Sequence, residues 1–172
     1  MMKKLNYILC LLFCTLIFCQ KKSATAKTSF SKDALVYQIT NMDGKKPTIG
    51  QILEWHKGKI IMIDFWASWC QDCIKAMPKT KELVAKNPNV TVLYFSVDKE
   101  EAAWKKGIAK HELSNKEHFW FDEGWKNTFN NEIELDWIPR FMILDKKGNI
   151  ALHSAISPED PEIQKTIDRL SK

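Results

Sequence analysis

Past the N-terminal segment, the densest hydrophobic stretches of the chain are two short runs, KIIMIDFWA (59–67) and NVTVLYFSVD (89–98). Continuous apolar runs of this length suit strands covered on both faces. Between them, CIKAMPKTKELVAKN (73–87) spaces Ile74, Met77, Leu83 and Val84 near a helical period, and Pro78 is expected to kink that helix. The segment 99–113 reads as a helix that Gly107 weakens. HFWFD (118–122) suits a short strand or an ordered loop, and 123–130 a short helix. PRFMILDKKGNIALHSAI (139–156) reads as two strands joined by a turn at Lys147-Gly148-Asn149. PEDPEIQKTIDRLSK (158–172) reads as a helix, with Pro and acids early and basic residues late. Upstream, 34–48 alternates loosely around an Asp43-Gly44 hairpin signal, and Thr48 is placed to cap a helix to about Trp55, ended near Gly58. Alternating strands and helices followed by a hairpin and a helix predict an α/β fold with a mixed central sheet flanked by helices.

The first residues break this pattern. In MMKKLNYILCLLFCTLIFCQKK, two lysines precede an apolar run from about Tyr7 to Cys19. That run is short for a membrane span and fits the core of an export signal, with a membrane anchor as the competing reading. LIFC followed by QKKS resembles a bacterial lipoprotein signal, which implies a signal at 1–19, cleavage before Cys19 and lipidation of Cys19. ATA at Ala24–Ala26 offers an alternative cut, which would leave the protein secreted or periplasmic. Residues 20–30 are small and polar and are expected to form a flexible tether, followed by one domain over 31–172.

Composition changes this picture little. The 172 residues are 45% hydrophobic and 27% charged, as in an ordinary globular chain. The net charge is +5; without Lys3 and Lys4, 24 basic residues face 21 acidic ones. Bases and acids are interleaved, as in DKEEAAWKKG, so the charge pattern argues against nucleic acid as a partner.

With Cys10 and Cys14 removed and Cys19 lipidated, the mature domain keeps Cys70 and Cys73 alone. A structural disulfide between them would close a tiny loop and remove little entropy from the unfolded chain. One CxxC supplies half of a zinc site, and His56, His111, His118 and His153 show no ligand spacing, so no metal and no cofactor is expected. Redox chemistry fits better. At the first turn of a helix, backbone N–H groups and the macrodipole favour a Cys70 thiolate. Cys73 then lies one turn deeper on the same face, placed to attack a mixed disulfide at Cys70.

IDFWASWCQDCIKAMP resembles the active-site segment of thioredoxin-like proteins, and among them the extracytoplasmic, membrane-tethered TlpA/ResA-like thiol-disulfide oxidoreductases. Phe65, Trp66, Ala67, Trp69, Cys70, Cys73 and Pro78 match in register, and WIPRFMILDKKGNI resembles the second signature. The resemblance implies a thioredoxin fold with an extra N-terminal β-hairpin. It implies Cys70 as nucleophile, Cys73 as resolving thiol and Asp64 as a buried acid-base group. It further implies a cis bond before Pro139, a substrate backbone pairing at Ile138, and Trp66 and Trp69 on the rim of Cys70. Arg140 stands where the family commonly has Thr, and is read as a substrate-tuning or merely exposed residue. Trp104, Trp120, Trp125 and Trp137 are expected to pack, with Trp137 alone placed to line a substrate groove.

The function so implied is exchange on disulfides of exported proteins, recycled by a membrane or periplasmic electron donor, with the lipid at Cys19 holding the protein to a membrane. Gln71-Asp72 separates the cysteines. A charge at Asp72 about 7 Å from a thiolate opposes it by roughly 0.6 kcal/mol, or about 0.4 in pKa, which argues for a reductant. The alternatives are a copper-binding or metallochaperone module that recruits His118 or His153, and a peroxiredoxin-like peroxidase, whose Pro and Thr ahead of the cysteine are missing from DFWASWC.

Overall fold

A computed structural model describes residues 27–114 and 116–172. The signal at 1–19, Cys19 and the alternative cut at Ala26 lie outside the described residues. In chain order the elements are α1 (Lys32–Val36), β1 (Thr40–Asn41), α2 (Ile49–Trp55), β2 (Ile60–Trp66), α3 (Gln71–Lys86) and β3 (Val90–Ser96). They continue with α4 (Glu101–Lys110), β4 (Glu117–Trp120), α5 (Thr128–Glu132), β5 (Arg140–Leu144), β6 (Ile150–Ala155) and α6 (Pro161–Leu170).

The six strands form one sheet in the order β1-β4-β3-β2-β5-β6. The two apolar runs become its centre: β2 and β3 pair in parallel from Ile60 opposite Val90 to Trp66 opposite Ser96, and every residue of β2 is buried. β4 extends the parallel side, while β1, β5 and β6 pair antiparallel, so the sheet is mixed. The two parallel crossovers, through α3 and α4, run in the same direction across the sheet. Right-handed crossing therefore puts both helices on one face.

Pleating sorts the strand residues between the faces. Asp64, Trp66, Tyr94 and His118 share a face by register. Trp66 lies under α4: a Cβ at Gly107 would stand 3.4 Å from its ring and 2.6 Å from Ser68 Cβ. The glycine that weakens this helix is thus the residue that lets it approach. Phe65, Phe95 and Phe119 take the other face, where Phe65 meets Phe95 at 5.7 Å and Phe129 of α5 at 6.5 Å.

Helix ends follow local chemistry. Thr48 and Gln51 form a reciprocal capping box at α2. Asp160 caps α6, with Pro161 in its first turn. The N-terminal hairpin is short at the sheet: Ile39 N–H donates to Pro47 O and Asn41 N–H to Lys45 O, and Thr40 and Asn41 pair with β4. One expectation needs correction: the tether does not reach residue 30. Lys27 pairs with Glu132 at 2.9 Å, Thr28 O accepts from Ile150 N–H at 2.8 Å, and the Phe30 ring packs at a tilt on Phe129 with centroids 5.4 Å apart. Phe30 is an apolar anchor in a polar stretch, and it docks this end of the segment.

Candidate active site

The turn after β2 delivers the cysteines. Cys70 is the N-cap of α3, and its sulfur accepts the Cys73 N–H at 3.0 Å. Pro78 lies inside the helix, well past its first turn, and so leaves the start at Cys70 free. Cys70 and Cys73 form a disulfide, with Cα atoms 5.3 Å apart. Cys70 is 6% exposed and Cys73 3%. The Ile138–Pro139 bond is cis, and Ile138 O lies 3.7 Å from Cys70 Sγ. Two loops thus converge on one sulfur: 67–70 after β2 and 136–139 before β5.

A cleft of about 350 Å³ opens beside Cys70, lined by Trp69, Gln71, Asp72, Trp125, Asp136, Trp137 and Ile138. Trp69 is 56% exposed and Trp137 57%. Large aromatic surfaces left in water next to a reactive sulfur mark a binding rim. Trp125 is fixed by an indole N–H bond to Leu135 O at 3.0 Å. Nothing in its sequence neighbourhood separated it from packing tryptophans, because the cleft forms only when the turn before α5 folds back onto the cysteine loop. Trp66, expected on the rim, is instead buried beneath α4. Asp72 is exposed, with Lys75 Nζ 3.3 Å from its carboxylate.

Asp64 lies on β2 opposite Tyr94 and Phe141, on the face that carries α3. Its Oδ1 has no hydrogen-bond partner, and burial pushes its pKa up to about 8. At neutral pH it therefore holds its proton in this disulfide form, as a general acid must. Its charge also adds to burial in raising the Tyr94 hydroxyl.

Arg140 needs correction. It is 3% exposed, and by register it shares the face of Phe65, away from α3. Its guanidinium donates to Glu134 O and Ile133 O, both at 2.8 Å, where α5 ends, and lies 3.1 Å from His153 Nδ1. A cation on the carbonyls of the C-cap residue and the one after it suits the negative end of the helix dipole. Arg140 is a scaffold residue behind the 136–139 loop and is not placed to meet substrate.

Asp98 was missed in the sequence, where it reads as a strand end before an acidic helix start. It is fully buried. Its carboxylate accepts the Ser68 N–H at 3.0 and 3.1 Å, and the Ser68 and Ser96 hydroxyls at 2.7 Å each. It is the anchor of the cysteine loop.

The histidines a thiol-based metal site could recruit are engaged elsewhere. His118 Nε2 lies 2.9 Å from Leu113 O and its ring stacks on Tyr94, while His153 contacts Arg140. Among the described residues, no three His, Cys, Asp or Glu side chains gather as a metal site. No described helix is long and apolar enough to cross a membrane.

Comparison with known proteins agrees with this geometry. A family model described as thioredoxin-like matches residues 58–150. The thiol-disulfide oxidoreductase ResA of Bacillus cereus is 28% identical over 128 residues, 72% of this chain and 68% of the relative. An H-type thioredoxin of Ricinus communis is 32% identical over 108 residues, 63% and 68% of the two chains. A solution structure of a candidate thiol-disulfide oxidoreductase from Bacteroides vulgatus superposes with a TM-score of 0.67 at 30% identity, covering 83% of this chain and 91% of that one.

Proposed function

The chain belongs to the thioredoxin-like family and is a thiol-disulfide oxidoreductase, and from that premise we propose that it works outside the cytoplasm as a reductant of disulfides in exported proteins. The observation that carries the reading is the position of Cys70: a helix N-cap whose sulfur receives the Cys73 N–H and opens onto an aromatic cleft.

In the reduced protein, the Cys70 thiolate attacks a substrate disulfide. One substrate sulfur leaves as a thiolate and takes up a proton, and a mixed disulfide to Cys70 remains. Cys73 loses its proton and attacks the Cys70 sulfur, which releases the second substrate thiol and forms the Cys70–Cys73 disulfide. Two electrons have passed to the substrate, and a donor dithiol must restore the pair. Asp64, protonated in the disulfide form and on the α3 face, is the group we assign to protonating the Cys73 thiolate when the donor dithiol reopens the disulfide; the carboxylate left behind takes that proton back when Cys73 next attacks Cys70. Ile138, beside Cys70 Sγ, offers its backbone to an extended substrate in the manner of an added strand. Trp69 forms one wall of that site.

The reductant direction rests on Asp72. Its carboxylate opposes a thiolate at Cys70, and a strong oxidant needs a highly stabilised thiolate. The extracytoplasmic setting rests on the apolar run that ends at Cys19, with its leading lysines, and the membrane tether on lipidation of Cys19. Labelled palmitate that enters the protein and is lost on Cys19→Ala would support that tether.

The deciding experiment is the reduction potential of the Cys70–Cys73 pair against glutathione buffers. A value near −270 mV is expected of a reductant, whereas a value near −120 mV would make the protein an oxidant and overturn the argument from Asp72. A Cys70 pKa below about 5 would overturn it equally.

A further inference from the structure

The cleft beside Cys70 carries ionisable groups of one sign. Its walls are Trp69, Trp125 and Trp137, and its charged residues are Asp72 and Asp136. Indole faces attract cations, and so do carboxylates at a rim. Each carboxylate has a cation nearby, Lys75 Nζ at 3.3 Å from Asp72 and Arg140 Nη1 at 3.7 Å from Asp136, but neither cation lines the cleft. Across Trp137 a second groove, of about 340 Å³, differs in kind. It is lined by Lys75 and Lys79 as well as Asp72 and Glu159, and Lys79 lies 3.9 Å from Glu159. That side selects no sign of charge.

We infer that the tryptophan cleft selects disulfides whose cysteine is flanked by a basic residue, with Trp137 as the specificity-determining side chain between the two grooves. The inference rests on the reading of Cys70 as the attacking thiolate. A Lys or Arg beside the substrate cysteine lays its aliphatic stem across the indoles and carries its charge to Asp136 or Asp72. An acidic neighbour at the same place meets two carboxylates and has no cation in the walls to answer it. The electron and proton balance of exchange is unchanged, since the flanking residue contributes binding alone.

The test uses the reduced full-length protein and three homodisulfides of the blocked pentapeptide Ala-X-Cys-X-Ala, with X as Lys, Ala or Glu. Second-order rates are read by tryptophan fluorescence. Each is divided by that peptide's rate with dithiothreitol, which removes the intrinsic effect of X on the leaving thiol. The expected order is Lys, Ala, Glu, with about a tenfold span at about 20 mM salt that contracts at about 0.5 M. Asp72→Asn combined with Asp136→Asn is expected to bring the span below about threefold, and Trp137→Ala to lower the Lys rate more than the Glu rate. Equal normalised rates, or a span indifferent to the double variant and to salt, would overturn the inference while exchange itself continues. No reaction with any peptide would overturn the reductase reading as well.

Discussion

The two loops that meet at Cys70 are held in opposite ways. The 67–70 loop is held by a buried anion: the Asp98 carboxylate collects the Ser68 N–H and two hydroxyls. The 136–139 loop is backed by a buried cation: the Arg140 guanidinium spans two carbonyls and His153. Asp98 satisfies groups of the loop itself. Arg140 satisfies the end of α5 behind its loop, and its own Nε stays unpartnered. Burial works against the Arg140 charge and lowers its pKa from the ordinary value, with Asp136 and Glu134 opposing that fall. One loop is thus gripped directly and the other only propped, which suits a site where the attacking sulfur stays fixed while the facing wall admits a chain.

A third buried ionisable group, Asp64 on the strand that leads into the 67–70 loop, has no partner at Oδ1, and it gives the largest expected effect. Its pKa rises from the ordinary 3.8 to about 8 on folding through burial. The native state therefore holds a proton that the unfolded chain releases above about pH 4. Stability is full below that pH, falls as pH rises, and levels off above about 8, by a total on the order of 5 kcal/mol. Asp64→Asn should match the wild type near pH 4 and exceed it increasingly up to pH 9 in urea midpoints. Equal slopes would place the carboxyl in contact with water.

Asp98→Ala follows in size. It strands the half-buried Ser68 N–H and hydroxyl and the buried Ser96 hydroxyl, and about 2–3 kcal/mol of stability should go with them. A loss below about 1 kcal/mol would mean that the loop holds without its anchor. Arg140→Met should cost less, about 1–2 kcal/mol, because it removes a buried charge along with its bonds. If denaturation shows Arg140→Met to be the costlier change, the contrast between gripped and propped loops fails. Smallest is Asp72→Asn, which should lower the Cys70 pKa by about 0.4 in a thiolate absorbance titration at low salt.

What could be read in advance follows the range of the forces involved. β2, β3 and the β5–β6 hairpin were legible because apolar runs and a Gly turn are local signals. Helix α3 was legible in its body, and the pair Cys70/Cys73 in its spacing. Asp98 and Arg140 were not. Each is a charged residue at a strand end, and such residues read as solvated unless their distant partners are known. Ser68 is 30 positions from Asp98, and His153 is 13 from Arg140. Trp66 was misplaced, and Trp125, which packs on the core as expected, was not foreseen as a cleft wall, for a related reason: tryptophan fits a rim or a core equally well, and only the path of the neighbouring loop decides.

Gly107 bears on how this protein can be improved. A glycine in a helix interior ordinarily invites replacement by alanine, for a gain of about 1 kcal/mol. Here the new methyl would stand 2.6 Å from Ser68 Cβ and would push on the residue that Asp98 grips, two positions before Cys70. An engineer seeking heat resistance through α4 would therefore be retuning the electrochemistry of the cysteine pair, and libraries that vary position 107 should be sorted by potential as well as by melting.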